Sequence, residues 1–245
     1  MPTQQRIISF VLLRYCLDYP ALLYILLTLN NVENLMSNNT INIALIGYGF
    51  VGKTFHAPLI RSVPGLNLAF VASRDEEKVK RDLPDVTVIA SPEAAVQHPD
   101  VDLVVIASPN ATHAPLARLA LNAGKHVVVD KPFTLDMQEA RELIALAEEK
   151  QRLLSVFHNR RWDSDYLGIR QVIEQGTLGA VKHFESHFDR FRPEVRVRWR
   201  EQNVPGSGLW FDLGPHLIDQ ALQLFGLPQS VQGNIATLRD GAEIN

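Results

Sequence analysis

The sequence predicts an α/β protein: a doubly wound parallel sheet followed by a smaller α+β unit. Three observations carry that expectation. Short apolar runs rich in Val and Ile recur between Ile41 and Phe157, and segments of helical periodicity separate them. The first run stops abruptly at a group of glycines, and after Phe157 the alternation of the two patterns gives way to a different grammar.

Residues 1–39 read as an extension outside the fold. They are rich in Leu and Ile, but Arg14, Asp18 and Pro20 interrupt the apolar run, which makes a poor membrane span. Arg6 is a thin basic start for a leader peptide, and no small-residue cleavage site precedes Asn30. Met36 stands directly before the first strand, so residues 1–35 are expected to be an over-extended reading frame, the alternative being a membrane-anchoring helix.

Ile41 to Ile46 is the first strand, and Gly47, Gly49 and Gly52 then fill the spacing G-x-G-x-x-G before a helical segment running from Phe50 to Val63. Each glycine has a mechanical reason. Gly47 permits a tight turn, Gly49 lets a pyrophosphate approach the backbone, and Gly52 lets helix and strand pack closely, with the helix amino end facing the anion. This predicts a Rossmann-type dinucleotide site in which Gly47, Gly49, Phe50, Val51 and Gly52 meet the cofactor.

Leu66 to Ser73 is the second strand, and it ends in Ser73-Arg74 rather than in an acid. A hydroxyl followed by Arg suits the 2'-phosphate of NADP, so NADP is the preferred cofactor. Asp75, one position further on, keeps NAD open. Val86 to Ala90 is a third strand, after which Ser91-Pro92-Glu93 opens a helix. Val101 to Ala107 is a fourth, and Ser108, Asn110 and His113 follow its carboxyl end, where ligands of open α/β sheets sit. Asn110 is either a cofactor contact or the amino cap of the helix from Ala114 to Ala123, which Gly124 stops.

The fifth strand, Lys125 to Asp130, runs into Lys131-Pro132, and its carboxyl end aims Lys131 at the cleft beside Asp130. An ammonium there can stabilise an alkoxide or polarise a carbonyl. Met137 to Lys150 is an amphipathic helix, and Leu153 to Phe157 is a sixth strand that closes the first domain, residues 40–158. The second domain, residues 159–245, opens with a helix over Asp165–Gln175 that Gly176 ends, and continues with Val181 to Phe191, which alternates like a half-buried strand. On such a strand His183 and His187 would stand about 13 Å apart, too far for one metal. The arginines from Arg190 to Arg200 are diluted by Asp189, Glu194 and Glu201 and read as a polar loop near the cleft. In the following helix, Leu209 to Phe225, Asp212 and His216 lie four apart on one face. A carboxylate there would orient the imidazole for proton transfer.

Composition narrows the class further. With 245 residues, 46% hydrophobic and 21% charged, the chain can bury a substantial core. A net charge of -3 offers nothing that would draw nucleic acid or an anionic membrane. The single cysteine, Cys16, forms no internal disulfide, and no metal-binding spacing occurs, which fits a reducing, cytoplasmic setting.

From about residue 40 onward the chain resembles the glucose-fructose oxidoreductase, inositol dehydrogenase and related (Gfo/Idh/MocA) family. The resemblance rests on Gly47-Tyr48-Gly49-Phe50-Val51-Gly52, on Asp130-Lys131-Pro132 and on Asp212-Leu213-Gly214-Pro215-His216. The runs His158 to Asp163 and Arg192 to Arg196 look most like its NADP-dependent scyllo-inositol dehydrogenase branch. The resemblance implies hydride transfer between a polyol or sugar-like carbon and a nicotinamide. Lys131 would sit at the reacting oxygen, His216 would be acid/base and Asp212 its neighbour in the relay, with Asn159, Arg160 and Leu213 lining the sugar site. It also implies an open, mainly antiparallel sheet in the second domain. Members continue past the position of Asn245, so that sheet is expected to be incomplete here and a family-type homo-oligomer is in doubt. Asp130 departs mildly from the commoner Glu. The rival expectation is a nucleotide-binding module, or a fragment of such an enzyme, without turnover.

Overall fold

Residues 40–244 are described by the structure, a computed structural model, so the reading of residues 1–39 falls outside it. Six strands are laid down where the β-branched runs predict them: β1 Ile41–Ile46, β2 Leu66–Ala72, β3 Thr87–Ile89, β4 Leu103–Ile106, β5 His126–Asp130 and β6 Leu154–Phe157. They form one parallel sheet in the order β3-β2-β1-β4-β5-β6. This is the doubly wound order, with the direction of winding reversing between β1 and β4.

The sheet is covered on both faces, which is why its strands read as continuous apolar runs. Along β1 the side chains alternate between two cores. Ala44 and Ile46 join Val104, Ile106, Val127, Val129, Leu121 and Leu143 on one side, and Ile43 and Leu45 join Val71, Val79, Val105, Ala57 and Ile60 on the other. The covering helices are α1 Ala57–Ser62, α2 Glu76–Asp82, α3 Pro92–Val96, α4 His113–Asn122 and α5 Met137–Lys150. Three of them start on side-chain caps: Asp75 accepts from the Lys78 amide, Ser91 from the Ala94 amide, and Asp136 from those of Gln138 and Glu139.

Before α1 the chain makes a π-helical turn, Gly52–His56, so the glycine loop enters its helix through a widened turn. His56 on this turn is buried against Phe157, ring centroids 4.3 Å apart, and its Nε2 has no hydrogen-bond partner. Burial alone pushes its pKa down to about 4.

Beyond the sheet lie α6 Ser164–Glu174 and α7 Gly208–Phe225, as the periodicity predicts. The expected strand over Val181–Phe191 is a correction. Residues 181–191 carry no regular secondary structure, and no antiparallel sheet occurs among the described residues. Alternation supplies a half-apolar face, but a strand persists only when a neighbour takes its amide and carbonyl groups, and no such neighbour lies beside this one. In this extended segment His183 and His187 both turn to the Glu185 carboxylate, at 3.0 and 3.7 Å.

Candidate functional site

A cleft of about 1570 Å³ opens at the carboxyl ends of the parallel strands and is roofed on one side by α7 and the loop before it. The glycine loop forms its floor at the winding reversal. Gly47 has a φ of +99°, and a Cβ there would meet the Ala107 carbonyl oxygen at 2.7 Å, so the loops after β1 and β4 touch. Gly52 faces inward, where a Cβ would lie 2.2 Å from the Gly47 oxygen. Gly49 faces the open cleft, where a Cβ would meet nothing within 4 Å. That cradle fits the diphosphate of a dinucleotide, with room kept clear above Gly49 and a helical amino end beside it.

At the end of β2, Ser73 and Arg74 line the cleft. The Asp75 carboxylate is occupied by its capping bond to the Lys78 amide, 2.9 Å, and the Ser73 hydroxyl accepts from the Asp75 amide at 3.1 Å. Lys78 also lines the cleft and was missed by sequence reasoning. Its signal was available, since Lys78 is a cation in the first turn of the helix that opens directly after Arg74 and Asp75. Two cations without side-chain partners among the described residues therefore line the cleft at the end of β2.

After β4, Ser108 and Asn110 line the cleft, but His113 does not. His113 is 1% exposed, its Nδ1 2.7 Å from the Pro132 carbonyl and its Nε2 3.0 Å from that of Ser108. The expected cofactor contact is thus corrected to a brace holding the loops after β4 and β5 together. Asn110 is not a helix cap: α4 begins at His113 without a side-chain cap, and the Asn110 amide donates to the Gly206 carbonyl at 2.8 Å. That bond pins the loop before α7 to the sheet. Gly206 has a φ of +80° and sits against Leu135 and Asn110, so only glycine fits the junction.

The pinning brings α7 over the end of β5. Lys131 Nζ donates to the Asp212 carbonyl at 2.6 Å and lies 3.4 Å from its Oδ1, with only 12% of the lysine side chain exposed. Burial lowers the lysine pKa, while Asp212 and Asp130 oppose that shift. Asp130 is itself buried, accepts from the Lys131 amide at 2.9 Å, and has its pKa raised by burial. His216 lies one turn beyond Asp212 and is 6% exposed, its Nδ1 without a partner. Burial first, then the charges of Lys131, Arg160 and His158, push its pKa down to about 3.

One expectation changes here. The Asp212 carboxylate turns to Lys131 and to Arg200, 3.5 Å away, and makes no bond to the His216 ring. Helical spacing put the acid and the imidazole on one face, but two cations from other segments compete for the carboxylate. Asn159, Arg160 and Leu213 line the cleft beside these groups, and Arg160 is paired with Asp163 at 2.7 Å. The arrangement joins an anion cradle, a buried ammonium and a neutral imidazole in one cavity.

Comparison with known proteins agrees with this geometry. The family model described as oxidoreductase family, NAD-binding Rossmann fold, matches residues 41–158, and that of the GFO/IDH/MocA C-terminal domain matches residues 166–245. The uncharacterized oxidoreductase YdgJ of Escherichia coli is 60% identical over 85% of this chain and 60% of its own length. IolW of Bacillus subtilis, scyllo-inositol 2-dehydrogenase (NADP(+)), is 40% identical over 84% of this chain and 57% of its own. A crystal structure from Klebsiella pneumoniae is 94% identical with a TM-score of 0.78, covering 85% of this chain and 57% of that one. The chain thus spans 57–60% of the length of these relatives. With both halves matched in order over one cleft, the chain belongs to the GFO/IDH/MocA family of oxidoreductases.

Proposed function

We propose that the chain carries the cofactor and proton-transfer site of an NADP-preferring dehydrogenase that interconverts an alcohol and a ketone on a polyol or sugar-like substrate. The observation that carries the reading is the meeting of Lys131 with the turn of α7 that bears Asp212 and His216, inside the cleft that Gly49 floors. The name of the relative IolW, an NADP(+)-dependent scyllo-inositol 2-dehydrogenase, supports both the cofactor and the substrate class. Arg74 and Lys78 support NADP over NAD, because two cations whose side chains lack partners among the described residues line the cleft at the end of β2, where a 2'-phosphate would add charge for them to bind.

When bound, the nicotinamide supplies the acceptor or donor of hydride. Lys131 holds the substrate oxygen with its ammonium and stabilises the charge that grows there as the hydroxyl proton leaves. His216 takes that proton. A ring held near pKa 3 is neutral across the physiological range and so free to accept, but it is a weak base while Lys131 faces it alone. An alkoxide forming between the two offsets the ammonium and raises the affinity of the ring for a proton at the moment it is needed. Asp212 anchors Lys131 and limits its motion.

Lys131→Ala is expected to abolish nearly all turnover of polyols such as scyllo-inositol while NADPH still binds, checked by steady-state rates alongside fluorescence titration of the cofactor. Retained turnover removes Lys131 from the reaction and this reading with it. The rival, nucleotide binding without turnover, draws on the Lys131 amine being already held by the Asp212 carbonyl, and predicts NADPH binding with no redox change across a polyol panel.

A further inference from the structure

The loop before α7 is fastened to the site at two places. Phe188 lies under the guanidinium of Arg160, 5.1 Å from ring centroid to Cζ, and Arg200 reaches the Asp212 carboxylate at 3.5 Å. Arg160 and Asp212 both line the cleft beside Lys131, so both ends of this segment are fastened on the side of the cavity that holds Lys131.

Arg190, Arg192 and Arg196 all line the cleft from this strap. None of the three guanidiniums has a hydrogen bond or ion pair among the described residues, unlike those of Arg198, which is held by Glu201, and Arg200. The acids of the strap form no ion pair with them among the described residues. Asp189 faces His187 at 3.7 Å, Glu201 is taken by Arg198 and Arg239, and neither these nor Glu194 lines the cleft. Arg192 feels the others as repulsion: its pKa is lowered by desolvation and then by Arg196, Arg190 and Arg198, with Glu201 opposing the shift. Three guanidiniums without a side-chain partner among the described residues thus face one cavity, and an anion entering it would give them one.

We infer that the substrate of this cleft carries an anionic group, a carboxylate or a phosphate ester, which Arg190, Arg192 and Arg196 receive while Lys131 holds the reacting oxygen. The inference rests on the dehydrogenase reading and extends its substrate class to sugar acids or polyol phosphates, beyond the neutral polyol named for the relative IolW. The planar fork of arginine suits either group, since both offer two oxygens in one plane to paired N–H donors. A cofactor phosphate is the competing source of negative charge. Both fastenings of the strap lie at the proton-transfer groups rather than at the end of β2, which favours the substrate.

The test is calorimetric titration of the chain saturated with NADP+, using glucuronate against glucose and myo-inositol 1-phosphate against myo-inositol. At low salt one anionic probe is expected to bind at least about tenfold more tightly than its neutral counterpart, the equivalent of one charge-assisted hydrogen bond. Added KCl should narrow that gap. The double variant Arg192→Gln/Arg196→Gln should close it, and Arg192→Lys/Arg196→Lys should restore most of it, with the affinity for NADP+ unmoved throughout. Preference for glucuronate identifies a carboxylate, and preference for the inositol phosphate a phosphate ester. No gap in the wild type, a gap that survives the double Gln variant, or a loss of NADP+ affinity that tracks the loss of the gap each overturns the inference. The last outcome would give the arginines to the cofactor. Failure of the wild type to bind NADP+ at all sinks the dehydrogenase reading instead, and is read from the saturation step before any probe is added.

Discussion

Gly49 and Gly52 stand three positions apart in one motif, yet a methyl group added to each should have opposite consequences. At Gly52 the new Cβ would fall 2.2 Å from the Gly47 oxygen, a backbone atom that can retreat only by opening the turn. Gly52→Ala is therefore expected to destabilise the fold by about 1–3 kcal/mol, measured as a lower urea midpoint without any ligand present. At Gly49 the methyl meets no protein atom within 4 Å, so the apo-protein should melt where the wild type does. The same methyl stands over the cradle, and NADPH affinity should fall about tenfold or more. Equal melting shifts for the two variants would contradict the division of labour between them. These roles were legible in the sequence because spacing alone separates a turn, an approach and a packing glycine. The true partner of Asp212 was not, because helical spacing reports only neighbours on the same helix. Lys131 lies 81 positions away and Arg200 comes from the strap.

At the scale of elements, the junction of β2 and α2 concentrates cofactor choice in a few residues. Asp75 caps the helix through Oδ1 and lines the cleft, while the side chains of Arg74 and Lys78 reach the cleft without partners among the described residues. Arg74→Ala should raise the Kd for NADPH by about tenfold, as expected for one charge-assisted contact, and leave the Kd for NADH unaltered. Equal losses for both cofactors would place Arg74 elsewhere than at the 2'-phosphate. All six strands of the sheet were legible to within two residues at either end, because each is a β-branched run that both faces of the sheet bury and that a polar or glycine-rich loop terminates. Residues 181–191 misled for the converse reason. Their alternation is a local property, whereas pairing is a property of two segments at once, and only the first can be read from one stretch of chain. His113 misled in a similar way. Its position after a strand end was read correctly, but the same position that gives access to the cleft also gives access to the Pro132 and Ser108 carbonyls, and those took both ring nitrogens.

Over the whole molecule, two buried imidazoles tie stability to pH. His56 underlies the glycine turn on the cofactor side, and His216 closes the cleft from α7, with pKa values pushed to about 4 and about 3. In the unfolded chain each takes up its proton below about 6.5, whereas the folded protein refuses it until well below that. A histidine whose folded pKa is depressed therefore contributes stability that is complete above about pH 6.5 and shrinks as pH falls toward the folded value. For His56 alone the loss approaches about 1.4 kcal/mol per pH unit inside that window, one proton's worth, and totals about 3 kcal/mol by the time the pH reaches its folded value. The ring is only 3% exposed and its Nε2 is unpartnered, so water does little to soften the penalty and no bond is lost on replacing it. His56→Met keeps an unbranched, adaptable side chain against Phe157 and removes the titration. Plotted from pH 7.5 down to about 4.5, the unfolding free energy of His56→Met should fall less steeply than that of the wild type by about one proton. The residual slope in this variant reports the other imidazoles whose pKa values burial lowers, His126, His158 and His216. Parallel curves for the two proteins would show that His56 already carries its proton when folded, and that the glycine turn is open to water.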